Sequence, residues 1–124
     1  MNYVFHPAAE AELLESVGYY ESRVPGLGDA LINEFEALIR LLSEQPRARP
    51  IALDPDIRIA PLQRFPLSIV YRMREGTLEI VAMAHDRRRP HYWLERIQSD
   101  PSTLDSARYA TQSREPNPAK KISE

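Results

Sequence analysis

Apolar residues along this chain follow two periods, and the change from one to the other falls near residue 50. The opening stretch from Asn2 to Phe5 is short, apolar and aromatic, which suits a strand. His6-Pro7 then opens a helix, because proline fits the first helical turn and lacks only a hydrogen that would be unpaired there anyway. From Ala8 to about Ser22, Leu13, Leu14, Val17 and Tyr20 gather on one side. Glu10, Glu12, Glu15 and Glu21 populate the rest as a solvated acidic face. Arg23-Val24-Pro25-Gly26 breaks this helix. From Gly26-Leu27-Gly28-Asp29 a second helix runs to about Glu44, with Leu27, Leu31, Phe35, Leu38 and Leu42 at steps of four, four, three and four. Two amphipathic helices joined by a short turn predict a helical hairpin.

Residues Pro46 to Pro55 contain three prolines and read as a loop. Beyond it the period falls to two. Ile57 and Ile59 alternate with Arg58 and Ala60, and Pro61 marks an edge strand or bulge. Leu67, Ile69, Tyr71 and Met73 form a second alternating set, and Leu78, Ile80, Ala82 and Ala84 a third. Taking Glu75-Gly76 as a two-residue hairpin loop sets Arg74 opposite Thr77, Met73 opposite Leu78 and Arg72 opposite Glu79. That register gives Arg72 a cross-strand carboxylate and a structural task. The expected fold is α+β: an N-terminal strand, an antiparallel two-helix hairpin, then a three-stranded antiparallel meander with the helices packed on the sheet. The domain is expected over residues 1–98. From Ser99 the composition turns polar and proline-bearing, so 99–124 reads as a flexible or loosely docked extension.

Composition narrows the class without naming a function. A chain of 124 residues supports one hydrophobic core, and 43% hydrophobic with 27% charged residues is ordinary for a soluble domain. No membrane-length apolar run and no secretory signal are visible, so a cytoplasmic location is expected. Cysteine is absent, which excludes disulfides and thiolate metal sites, and the histidine spacing makes no metal motif. Neither metal nor cofactor is expected. The net charge of −2 argues against a generally basic nucleic-acid binder, yet the charges are segregated. Residues 1–45 carry two arginines against eight carboxylates; residues 46–98 carry ten against six.

The segregation culminates in His85-Asp86-Arg87-Arg88-Arg89-Pro90-His91-Tyr92-Trp93, just after a strand-like segment. Arginine forks grip phosphate or carboxylate, and flat rings stack on bases or guanidinium groups. Arg87, Arg88 and Arg89 are the leading candidates for a target-binding surface, since Asp86 alone offsets them locally. Arg64 enters the preceding strand and is expected near Arg87, with Arg58 a weaker companion and His91 and Trp93 as further contact residues. His85 reads either as an acid–base group or as a strand-end histidine bonded to backbone. Tyr92 and Trp93 read first as packing residues and second as stacking platforms.

With the order strand, helix, helix and three strands, the chain resembles the RelE/ParE toxin superfamily of bacterial type II toxin–antitoxin systems over about residues 2–97. The resemblance is carried by His6-Pro7-Ala8-Ala9-Glu10, Pro25-Gly26-Leu27-Gly28, Arg64-Phe65-Pro66, and His85 through Trp93 followed by Arg96. It implies a small toxin of the plasmid-stabilisation type that arrests growth unless a cognate antitoxin binds it, as a toxin–antitoxin hetero-oligomer and without a membrane. RelE-like members cut messenger RNA on the ribosome without a metal ion. ParE-like members poison DNA gyrase and perform no chemistry. The lysines that RelE-like nucleases typically carry on the strand matching Arg58–Leu62 are missing here, and Ser68 fills one arginine position. Arg87 remains, and Tyr92 stands near the expected tyrosine. His85, Arg87 and Tyr92 would be catalytic only in a nuclease, a metal-independent endoribonuclease. The ParE-like binding toxin is therefore the first expectation, the mRNA-cleaving enzyme the alternative, and a degenerate, non-toxic family member the second alternative.

Overall fold

The computed structural model describes residues 3–98, which divide after Pro90 into two units. The expected extension over 99–124 lies outside the described residues. Strand β1 (Tyr3–Phe5) leads through His6 into helix α1 (Pro7–Arg23), and α2 (Leu27–Glu44) returns antiparallel to it. Strands β2 (Ile51–Leu53), β3 (Ile57–Pro61), β4 (Leu67–Arg74) and β5 (Thr77–His85) follow. The short helix α3 (Leu94–Gln98) belongs to the second unit.

The fold is α+β, with one correction to the expected sheet. It has five strands in the order β1-β5-β4-β3-β2 and is mixed rather than a three-stranded meander. Strand β2 forms inside the stretch read as a loop, where Ile51-Ala52-Leu53 pairs with β3 between flanking prolines. Strand β1 lies parallel to β5 in the register Tyr3 with Leu78 and Phe5 with Ile80. The His6 N–H extends that ladder to the Ile80 carbonyl at 2.8 Å. The same residue then caps α1: its Nδ1 accepts the Ala8 N–H at 3.0 Å, with proline at the first helical position.

Helix α2 buries Leu31, Phe35, Ile39 and Leu42, and α1 buries Ala9 and Leu13, against Ala60, Leu67, Ile69, Tyr71, Leu78, Ile80 and Met83 of the sheet. Leu14, expected in the stripe of α1, is 62% exposed, because it sits about 100° round the helix from Leu13. Glu75 and Gly76 both have positive φ, 55° and 79°, as a two-residue turn requires. The register that follows is the expected one, with Arg72 opposite Glu79. Arg72 Nε lies 2.7 Å from Glu79 Oε1, and the arginine is only 4% exposed.

Strand β5 departs from strict alternation. The ladder shifts between Val70 and Tyr71, which pair with Ala82 and Ile80, so Val81 is an extra residue. After it the parity reverses. Met83 and His85, opposite Ile69 and Leu67, share the helix-facing side, whereas Ala82 and Ala84 turn to the other face with Val70 and Ser68. The expected continuation of Leu78 and Ile80 through Ala82 and Ala84 fails at this one residue. Beyond Phe5, strand β1 no longer covers this edge of β5, and the Met83 N–H is taken instead by Glu12 Oε1 at 3.0 Å.

Other glutamates expected on solvated faces also bind backbone. Glu21 accepts from the Gly26 and Gly28 N–H groups at 3.0 and 2.9 Å, closing the turn between the helices. Those two bonds hold its carboxyl below the ordinary value. Gly26 takes φ 90° there, a conformation that glycine adopts without strain.

Two outcomes are expected. Glu79→Ala removes the carboxylate partner of a buried guanidinium and should cost about 3 kcal/mol in denaturant unfolding, against under about 1 for the more exposed Arg74→Ala. Glu21→Gln should lower Tm at neutral pH. Because the folded carboxyl is depressed, its contribution is present above the unfolded value and lost as pH falls through the folded one. The Tm difference between wild type and variant should therefore close on acidification.

Candidate functional site

The helix-facing end of β5 runs straight into the arginine turn, and three backbone bonds fix its course. The Asp86 N–H donates to the Pro66 carbonyl at 2.9 Å, tying the turn to the β3–β4 loop. The Arg88 N–H donates to the His85 carbonyl at 2.9 Å. The Arg87 N–H donates to His85 Nδ1 at 3.0 Å. Arg87, Arg88 and Arg89 project from this pinned backbone and are all exposed. Among the described residues Arg87 and Arg89 enter no ion pair, so their charges reach solvent unneutralised.

His85 uses its side chain on the backbone. Nδ1 is the acceptor in the bond from the Arg87 N–H, which occupies this nitrogen of the ring. The contact repeats the geometry of His6 at the start of α1, where Nδ1 also takes the N–H two residues on.

Arg64 joins the same rim. Its loop is held to α2 by Glu34, whose carboxylate accepts the Gln63 and Arg64 N–H groups. The Arg64 guanidinium stands 5.9 Å from the Phe65 ring centroid, and Phe65 meets Tyr20 of α1 edge-on at 5.0 Å. Burial holds the Tyr20 hydroxyl above its ordinary value; neighbouring Tyr19 adds to this, the Arg87 guanidinium opposes it and Asp86 reinforces it. Tyr20 thus lies within electrostatic reach of the arginine turn. Sequence periodicity assigned it to the core and gave no sign of that neighbourhood.

The structure does not bring Arg58 to the rim. Arg58 pairs with Tyr71, three rungs along the ladder from Pro61 and Ser68, and its Nε donates to the Arg49 carbonyl at 2.7 Å. His91, Tyr92 and Trp93 belong to the second unit. Within it, His91 is exposed at φ 62° and meets Trp93 edge-on at 5.4 Å, and the Arg96 guanidinium covers Tyr92 at 5.2 Å. Trp93 is 2% exposed, which fits packing and leaves no face for a base to stack on.

Grooves of about 400 and 330 Å³ are lined by residues such as Tyr3, Ile39 and Arg40, and Leu42, Gln45 and Arg49. The arginine turn lines neither. Among the described residues no group of three His, Asp or Glu side chains is placed to hold a metal ion, and no helix is long and apolar enough to cross a membrane.

Residues 3–90 match a family model described as the ParE toxin of type II toxin–antitoxin systems. A solved structure entitled "Chromosomal ParDE TA system from P. aeruginosa" is similar, with a TM-score of 0.57 and 20% identity over 68% of this chain and 95% of that one. At that identity the likeness establishes a shared fold. No curated protein matches significantly.

His85→Asn should preserve the turn, because the amide oxygen of asparagine accepts the N–H two residues on. Its unfolding free energy should stay within about 0.5 kcal/mol of wild type. His85→Ala should lose about 1 kcal/mol in the same measurement.

Proposed function

Since the chain belongs to the ParE toxin family of type II toxin–antitoxin systems, we propose that it arrests growth by docking its arginine turn on an essential target until a cognate antitoxin covers it. DNA gyrase is the target that the family resemblance implies. The observation carrying a docking mechanism rather than RNA cleavage is the bond from the Arg87 N–H to His85 Nδ1. It engages the His85 imidazole in the backbone of the turn, where it serves the turn's course rather than a ribose hydroxyl.

Other features support the same reading. The turn is pinned at three successive amides, which lowers the ordering cost of presenting three mobile side chains to a partner. Exposed guanidinium groups accelerate encounter with an acidic surface and set its orientation.

The test is controlled expression of the wild type and an Arg87→Ala/Arg88→Ala/Arg89→Ala variant. Growth arrest should disappear in the folded triple variant and persist in His85→Asn. Purified protein should inhibit gyrase supercoiling, and primer extension on cellular messages should show no codon-positioned cuts. Undiminished arrest by the triple variant would remove the arginine turn from the mechanism. Codon-positioned cuts abolished by His85→Asn would replace docking with ribosome-dependent cleavage.

A further inference from the structure

We propose that the C-terminal end of α1 and the adjoining β3–β4 loop form the docking strip for an acidic, partly apolar peptide segment of the antitoxin. The inference rests on the toxin reading above and adds a partner chemistry and residues outside the arginine turn. Three rings run in contact: Tyr19 meets Tyr20 edge-on at 5.2 Å, and Tyr20 meets Phe65 edge-on at 5.0 Å. A guanidinium stands on each outer ring, Arg23 at 4.8 Å from the Tyr19 centroid and Arg64 at 5.9 Å from that of Phe65. Arg87 lies within electrostatic reach of the Tyr20 hydroxyl.

Such an arrangement positions cations without neutralising them. A ring attracts a guanidinium through its quadrupole and carries no net charge, so Arg23 and Arg64 keep theirs for an incoming anion. Among the described residues neither forms an ion pair. Two carboxylates at the ends of the strip are tied to backbone instead: Glu21 to Gly26 and Gly28, Glu34 to Gln63 and Arg64. Charge complementarity therefore calls for carboxylates from outside.

The exposed apolar surface selects a peptide over a nucleic acid. Tyr19 is 51% and the adjoining Val24 53% exposed, whereas Phe65 is buried and Tyr20 half-buried. Single-stranded nucleic acid uses successive exposed rings and a continuous cationic track. Here one ring is open, and Glu10 and Glu15 stand exposed farther along α1, where they would repel a phosphate backbone. One apolar seat flanked by arginines instead fits an amphipathic segment whose apolar side chain lies between two carboxylates.

The experiment compares the full chain with a Tyr19→Ala/Arg23→Ala variant, both residues being exposed on the surface of α1. The probe is the co-expressed cognate antitoxin, and affinity is read by calorimetry, with folding checked by thermal melting. Kd should rise at least roughly tenfold, and antitoxin rescue should fail in cells while growth arrest persists. A Tyr19→Phe/Arg23→Gln variant, which keeps the packing and removes the charge, should show a smaller rise in the same direction. It decides the matter by the same reading if the alanine pair fails to fold. Unchanged affinity in a folded variant overturns the proposal. So does single-stranded RNA of about 15 nucleotides that binds the wild type and not the variant while antitoxin affinity holds. Failure of the underlying toxin reading shows elsewhere, as growth arrest that is absent or indifferent to the arginine turn, with antitoxin affinity measured independently.

Discussion

The extra residue that β5 carries opposite the step from Val70 to Tyr71 governs the rim. A strand presents alternate side chains to opposite faces, so one inserted residue exchanges the faces of everything after it. Without a bulge at Val81, regular alternation would point His85 away from the helices. With it, His85 stands opposite Leu67 on the helix-facing side, and the following turn arrives beside Tyr20 and the loop that carries Arg64. Glu12 supports the altered course by taking the Met83 N–H that a longer β1 would have bonded. An unpaired edge amide partly buried beneath a helix would otherwise cost about 1–3 kcal/mol.

Charge is distributed by the same logic. The first third of the chain is rich in carboxylates, and several of them meet backbone N–H groups rather than the arginines of the last third. Glu12 serves β5, Glu21 the inter-helix turn and Glu34 the β3–β4 loop. Each bond satisfies donors that the fold leaves exposed at an irregular point. Because these acids are committed to amides, Arg64, Arg87 and Arg89 form no ion pair among the described residues, on a protein whose net charge is −2. Arg72 shows the contrast: buried at 4% exposure, it is matched by Glu79 across the hairpin.

A superfamily that hosts both cleavage and inhibition by binding cannot assign the mechanism through its fold. The discriminating detail is the state of one imidazole. His85 accepts a backbone N–H within the turn, and that contact is what favours docking over cleavage in the proposed function. The aromatic strip from Tyr19 to Phe65 extends the cationic surface onto α1, where the rings support guanidinium groups without discharging them.

The helices, the Glu75-Gly76 hairpin and the pairing of Arg72 with Glu79 were legible in the sequence because each follows from local periodicity or a fixed two-residue turn. The clustering of three arginines at a strand end was legible for the same reason, since their neighbours along the chain are their neighbours at the rim. Strand β2 and the parallel seat of β1 were not, because three-residue strands carry almost no periodic signal and form only against a sheet already present. Nor was the reversal of parity at Val81, which depends on how β4 and β5 register. The sequence by itself determined which residues could form a cationic end and which helices would cover the sheet. Only the tertiary structure decided that Arg58 stays apart, that Tyr20 joins, and that His85 is spent on its own turn, because these outcomes depend on distances between elements far apart in the chain.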